Sequence, residues 1–283
     1  MTSTHQSDPI PTGPYGDPRL WALVEVWKQA ADEMLDLLDG LRPDDWSTPT
    51  ELPGWDVKAV ASHAAHLESV TIGRREPAAE IGDLPHISSP MSRWTETGVV
   101  NRRGHHPRDI VEELRSAVDE RYATLVATPP ADPRAPTPEP FGSLGWDTET
   151  LLRNRPFDLW MHEQDIRRAI GRPGNLRTDP ADYVLSFLAG TLGYVLGKRA
   201  GAKPGQTIVV EVDGSEAAYA VDDTGRGIRL ELPPGSPTAR VRTDRESFVR
   251  LCGGRGEVPP DAVTLEGDKQ LARRFVAGMA VVP

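Results

Sequence analysis

The sequence predicts an α plus α+β chain, a four-helix bundle followed by a smaller α+β domain. Three observations predict it. Four long runs with the 3.6-residue apolar period occupy the first part. Beyond residue 206 the pattern changes to short alternating or β-branched runs between Gly and Asp turns. Between the two parts, Gly171-Arg172-Pro173-Gly174 is a firm helix stop.

Residues 1–16 are polar and rich in Pro and Gly, lack the apolar core of a signal peptide, and read as a flexible arm. Residues 17–41 place Leu20, Leu23, Val24, Trp27, Ala31, Met34, Leu37 and Leu38 on one face, and Gly40 and Pro43 end that helix. Residues 56–72 form the second, with Asp56 as N-cap and Val57, Val60, Ala61, Ala64, Leu67 and Val70 apolar. Residues 73–106 read as a linker, of a length that usually carries function or a crossover. Residues 107–127 are the third helix, with Ile110, Val111, Leu114, Val118, Tyr122 and Leu125 aligned. A Pro-rich loop over 128–145 leads to the fourth, residues 148–170. There Pro156 is expected to kink the helix or move its start to Arg155. Helices joined partly by long crossovers make a bundle domain over 17–175.

The C-terminal domain, 176–283, opens with a bridging helix over 179–199. Strands are expected at 206–212, 217–221, 228–232, 239–242 and 262–265, and helices at 246–252 and 269–279. This is an α+β unit with a mainly antiparallel sheet.

The chain has 283 residues, 38% hydrophobic and 26% charged, enough to bury a sizeable core. Its formal charge of −10 excludes nucleic acid or an anionic membrane as main partner, since phosphate binding needs surplus Lys and Arg. No apolar run is long enough to span a bilayer. Cys252 is the single cysteine, so no internal disulfide forms, and beside Leu251 it reads as a small buried hydrophobe. The expectation is an acidic cytoplasmic enzyme, monomeric because no heptad seam or large apolar helix face is left over.

Two segments carry the candidate chemistry. Asp158 and His162 are four apart, so on a helix they share a face. His63 is flanked by Val60 and Leu67, which turns it toward the bundle interior. Two imidazoles and a carboxylate with an open position make a catalytic rather than a structural metal site. Asp165, one turn further, is placed to accept from the His162 ring and orient it. Each fragment has a plainer reading: His63 as a core histidine, Asp158–His162 as a surface pair. Spacing does not show that the segments meet. His66 competes with His63 but reads as solvated or hydrogen-bonded, and His105-His106 as surface.

At these residues the chain resembles the mycothiol-dependent maleylpyruvate isomerase family of the DinB-like metalloenzyme superfamily. The resemblance lies in Leu52-Pro53-Gly54-Trp55, with His63 eight residues after Trp55, and in the run from Asp158 to Arg167 before the Gly171-Arg172-Pro173 stop. It covers nearly the whole chain and implies a DinB-like bundle with a sterol-carrier-like C-terminal domain. It also implies a divalent metal, usually zinc, held by His, Glu and His. Here the acid is Asp158, one methylene shorter. The implied reaction activates a low-molecular-weight thiol, mycothiol, as a metal thiolate for S-transfer to, or isomerisation of, a small electrophile. A coordinated thiol is deprotonated outright, so the chain needs no nucleophilic cysteine. Arg255, in Gly253-Gly254-Arg255-Gly256, is the candidate for binding an anionic part of a ligand, with Arg155 and Arg167 as others. A hydrolase or lyase using metal-bound water, and a non-enzymatic small-molecule or lipid carrier, are the alternatives. The charges in the strand region (Glu211, Asp213, Glu216, Asp222, Asp223) speak against an apolar tunnel.

Overall fold

The computed structural model describes residues 16–282. The expected N-terminal arm, apart from Gly16, lies outside the described residues. The chain divides into two compact units, Met1–Ile170 and Gly171–Pro283. No helix among the described residues is long and apolar enough to cross a membrane.

The first unit is helical. Helix α1 spans Pro18–Asp39, with the Asp17 side chain accepting from the Arg19 amide at its start. Helix α2 spans Val57–Thr71 and is capped by Asp56, which accepts from the Ala59 amide at 2.8 Å. Helices α3 (Pro90–Arg102), α4 (Pro107–Ala127) and α5 (Thr148–Ala169) follow. One apolar core draws Trp27, Met34 and Leu38 from α1, Val60 and Ala64 from α2, Ile110 and Leu114 from α4, and Leu159 and Ile166 from α5. Each large side chain fully buried there stabilises the fold by about 1.5–3 kcal/mol. Nearly every residue of α2 is buried, which makes it the central helix and takes its polar groups out of water.

Two sequence expectations change here. The stretch read as a linker over 73–106 contains α3. Its start was written in Ser89 and Pro90, a capping serine before a first-turn proline, but its face is mostly polar and gives no apolar period. Pro156 neither starts nor ends α5, which runs from Thr148 to Ala169 through it. Packing along Leu152, Phe157, Leu159 and Trp160 outweighs the amide lost at the proline.

The second unit opens with α6 (Asp179–Ala189) and α7 (Leu192–Tyr194), the latter passing into a π-helical turn over Val195–Arg199. The single helix expected over 179–199 is therefore broken at Gly190-Thr191. A Cβ on Gly193 would lie 2.8 Å from the Gly227 carbonyl oxygen, so glycine lets this segment close on β3. The sheet has β1 (Thr207–Val212), β2 (Ser215–Val221), β3 (Gly227–Leu230), β4 (Ala239–Thr243) and β5 (Val263–Gly267) in the order β3-β2-β1-β4-β5. β1 pairs with β4 in parallel and all other neighbours are antiparallel, giving a mixed sheet. Asp213 and Gly214, both at positive φ, form the β1–β2 turn. Helices α8 (Arg245–Gly253) and α9 (Lys269–Ala277) complete the unit. The strand charges pair across the sheet: Arg242 donates to Glu211 at 2.8 Å, and Arg240 bonds Glu216. Cys252 is buried in α8, where desolvation pushes its thiol far above the ordinary range.

Candidate metal centre

The two candidate segments meet in the first unit. His63 from α2 and Asp158 and His162 from α5 present donor atoms within 4.8 Å of one another. His63 Nε2 lies 3.5 Å from Asp158 Oδ2, and His162 Nε2 lies 3.7 Å from Asp158 Oδ1. The two imidazole rings stand edge to face, 4.8 Å between centroids. The side chains are 5%, 10% and 19% exposed for His63, His162 and Asp158, so the acid has most access to solvent.

Asp165 lies against the His162 ring. Its Oδ2 lies 3.1 Å from His162 Nδ1, and Arg168 donates to its other oxygen. In the tautomer that gives its Nδ1 proton to Asp165, His162 turns its Nε2 lone pair toward Asp158 Oδ1. A cation between the two would satisfy both acceptors. Four donors each ~2.0–2.1 Å from zinc stand about 3.4 Å apart in a tetrahedron, and each imidazole nitrogen lies near that distance from one oxygen of the acid, His63 from Oδ2 at 3.5 Å and His162 from Oδ1 at 3.7 Å. The donor set of two imidazoles and one carboxylate suits a borderline divalent ion. The residues fit such a group.

The charges around the acid were not readable in advance. Arg155 is wholly buried; its Nε donates to Glu68 Oε1 at 2.9 Å and its Nη1 to Asp158 Oδ2 at 3.1 Å. Glu68 in turn accepts from Arg121 at 3.0 Å. Burial alone would raise the Asp158 carboxyl, but the Arg155 guanidinium and then the two imidazoles outweigh it and hold it well below the usual carboxylate range. Burial pushes His63 down, against the pull of Asp158, which favours the neutral, ligating form. The signal of this network in the sequence is Glu68, the single acid within α2.

Trp55 closes one side. Its ring lies 5.0 Å from that of His63 and 6.1 Å from that of His162. Its indole N–H donates to the buried Glu96 at 2.8 Å, which also meets His86. A groove of about 630 Å³ is lined by Trp55, Ser47, Thr50, Lys58, Ser62 and Arg103.

The remaining candidates fall elsewhere. His66 is wholly buried with neither ring nitrogen hydrogen-bonded among the described residues, so it is not the solvated or bonded histidine expected. Its ring packs on Trp94 and burial drops it to about 3. His106 caps α4 by accepting from the Arg108 amide. Arg155 and Arg167 are held by acids of their own helix or of α2, Arg167 by Glu163 at 2.7 Å. Arg255 lies in the second unit, buried, and donates to the Gly253 carbonyl at 2.7 Å.

Comparison with known proteins agrees across both units. Residues 27–167 match the family model described as mycothiol maleylpyruvate isomerase N-terminal domain, and residues 178–274 match the MDMPI C-terminal domain. A crystal structure of the mycothiol-dependent maleylpyruvate isomerase, in a histidine-to-alanine mutant form, aligns over 87% of this chain and 92% of its own, with TM-score 0.52 and 18% identity. A second structure of the mycothiol-dependent maleylpyruvate isomerase aligns over the same shares with TM-score 0.51 and 16% identity. At these identities the likeness is one of fold. No curated protein sequence matches the chain.

Proposed function

From the premise that this chain belongs to the mycothiol-dependent maleylpyruvate isomerase family, we propose that it is a metal-dependent enzyme using mycothiol to isomerise, or transfer sulfur to, a small electrophile such as maleylpyruvate. The observation that carries this reading is the convergence of His63, Asp158 and His162, with Asp165 holding the His162 ring. His63 and His162 would hold the metal, which we take as zinc, through Nε2, and Asp158 through a carboxylate oxygen. A divalent metal bound there supplies the Lewis acidity that deprotonates a coordinated thiol at neutral pH.

The chain's own groups prepare that chemistry. Asp165 fixes the tautomer of His162 so that its Nε2 lone pair is available. Trp55 shields two imidazoles from water and so keeps the local dielectric low. Arg155 and Arg121 cancel Glu68 and Asp158 in charge, so the protein does not compensate a dication. Open positions therefore favour anions, a thiolate or a carboxylate, over neutral water. Cys252 is buried and holds its proton, so the thiol comes from outside the chain. The hydroxyls and cations of the groove beside Trp55 suit a hydroxyl-rich thiol.

The same reading takes the helical unit as a DinB-like four-helix bundle, supported by the core that α1, α2, α4 and α5 share, and the second as sterol-carrier-like. A cytoplasmic monomer accompanies it, and Arg255 remains the candidate contact for an anionic ligand. The test is elemental analysis of purified protein, then maleylpyruvate turnover with and without added mycothiol. Stoichiometric zinc, lost in Asp158→Ala and His162→Ala, with thiol-dependent turnover is expected. Full metal content in both variants would overturn the site, and equal turnover without thiol would overturn the reaction.

A further inference from the structure

We propose that Arg155 is a positioning residue that engages Oδ2 of Asp158 and leaves Oδ1 as the oxygen with no hydrogen-bond donor of its own to offer a cation. The inference rests on the metal reading above. Arg155 Nη1 holds Oδ2 at 3.1 Å, and that oxygen also lies 3.5 Å from His63 Nε2; no described residue donates a hydrogen bond to Oδ1, which faces His162 Nε2 at 3.7 Å. The arginine is itself fixed from behind. Its Nε donates to Glu68, Glu68 accepts from Arg121, and the Arg121 guanidinium lies over the Trp27 ring at 4.5 Å. The chain of contacts thus runs from α1 through α4 and α2 to α5.

Three physical points give the arrangement its consequence. All of Arg155, Glu68 and Arg121 are buried, so breaking any one pair strands a charge out of water, at a cost of several kcal/mol. The network therefore holds one geometry. Asp158 has only two side-chain torsions, and a bond at Oδ2 leaves neither free to swing both oxygens onto one ion. Arginine alone suits the post, because its planar fork bonds Glu68 and Asp158 at once from separate nitrogens, whereas an ammonium is a single point. A short acid held in this way reaches its ion through one oxygen and leaves the remaining positions open to exogenous ligands.

Cobalt(II) is the probe, because its visible absorption weakens as coordination number rises above four. Wild-type protein should bind it with the intense spectrum of low coordination. Arg155→Lys keeps the charge and loses the fork. It should bind cobalt roughly 10- to 100-fold more weakly, as outer hydrogen-bond partners of ligands usually do when removed. Its absorption per bound cobalt should fall as the second carboxylate oxygen joins. An Arg155→Lys protein with wild-type spectrum and equal or tighter affinity overturns the proposal while leaving the metal site standing. A wild type that binds no metal overturns the site and the proposal together. Should Arg155→Lys unfold, infrared difference spectra of wild type labelled with ¹³C-aspartate decide the matter: wide splitting of the carboxylate stretches on metal addition supports one-oxygen ligation, and narrow splitting overturns it.

Discussion

At His162 the two ring nitrogens have different tasks. Nδ1 is spent on Asp165, and only that bond makes Nε2 a directed lone pair. Asp165→Ala should weaken binding of the proposed metal by about 10- to 100-fold, and, because it also strands the Arg168 guanidinium, circular dichroism of the variant should accompany the titration. Titration against a competing chelator measures this, and unchanged affinity would remove Asp165 from the site. The His63, Asp158, His162 and Asp165 set was legible because four of its features are local: a histidine on an apolar helix face, and an acid, imidazole and second acid spaced along one turn after another. Arg155 and Glu68 were not legible as partners. They lie 87 positions apart, and nothing local says which acid a buried arginine will find. For the same reason Arg155, taken as a candidate for an anionic ligand, proves to be engaged by two carboxylates of the protein itself.

Among the elements, α3 shows how a helix hides from a periodicity argument. It buries only Glu96, Gly98, Val99 and Arg102, a stripe of charge and absence rather than of apolar bulk. Arg102 is satisfied there by Glu76 and Glu113, and Glu96 by Trp55. Gly98 matters because a Cβ at that position would sit 2.2 Å from His66 Nδ1, so the missing side chain is what allows α3 to approach α2. Gly98→Ala should destabilise the helical unit by about 1–3 kcal/mol through overpacking, despite the better helix propensity of alanine. A shifted urea midpoint with unchanged slope would register it; a stabilised variant would contradict the close approach. Asp56→Ala removes the cap of α2 and should cost about 1 kcal/mol by the same assay. The long helices and most strands could be read within a few residues, because capping groups and apolar period agree in them. Of the two outcomes expected at Pro156, the start near Arg155 is overturned, since a helix buried on most of its face runs through the proline.

For the molecule as a whole, acid is the condition that tests its buried polar groups together. His66 falls from its ordinary 6.5 to about 3 on folding, because burial opposes its charge. A depressed value means the unfolded chain takes up the proton first as pH drops. The contribution of His66 is therefore complete above about pH 6.5 and is lost progressively toward pH 3, at up to about 1.4 kcal/mol per unit. His63 is depressed likewise, and Asp158 acts in the same direction below the unfolded carboxylate value of about 3.9. Denaturation of the helical unit followed from pH 7 to pH 4 should show stability falling throughout, and His66→Leu should flatten that fall. A stability independent of pH in this window would place His66 in water rather than in the core. Cys252 draws a different consequence from burial. A protein proposed to work amid free thiols and their disulfides offers them no exchange partner, because its one sulfhydryl is enclosed and protonated. Native protein held with oxidised thiol should keep its mass, and gain a mixed-disulfide adduct only once denatured. The buried sulfhydryl would then give the pool no switch to throw on the protein itself, and activity would follow the supply of reduced thiol alone.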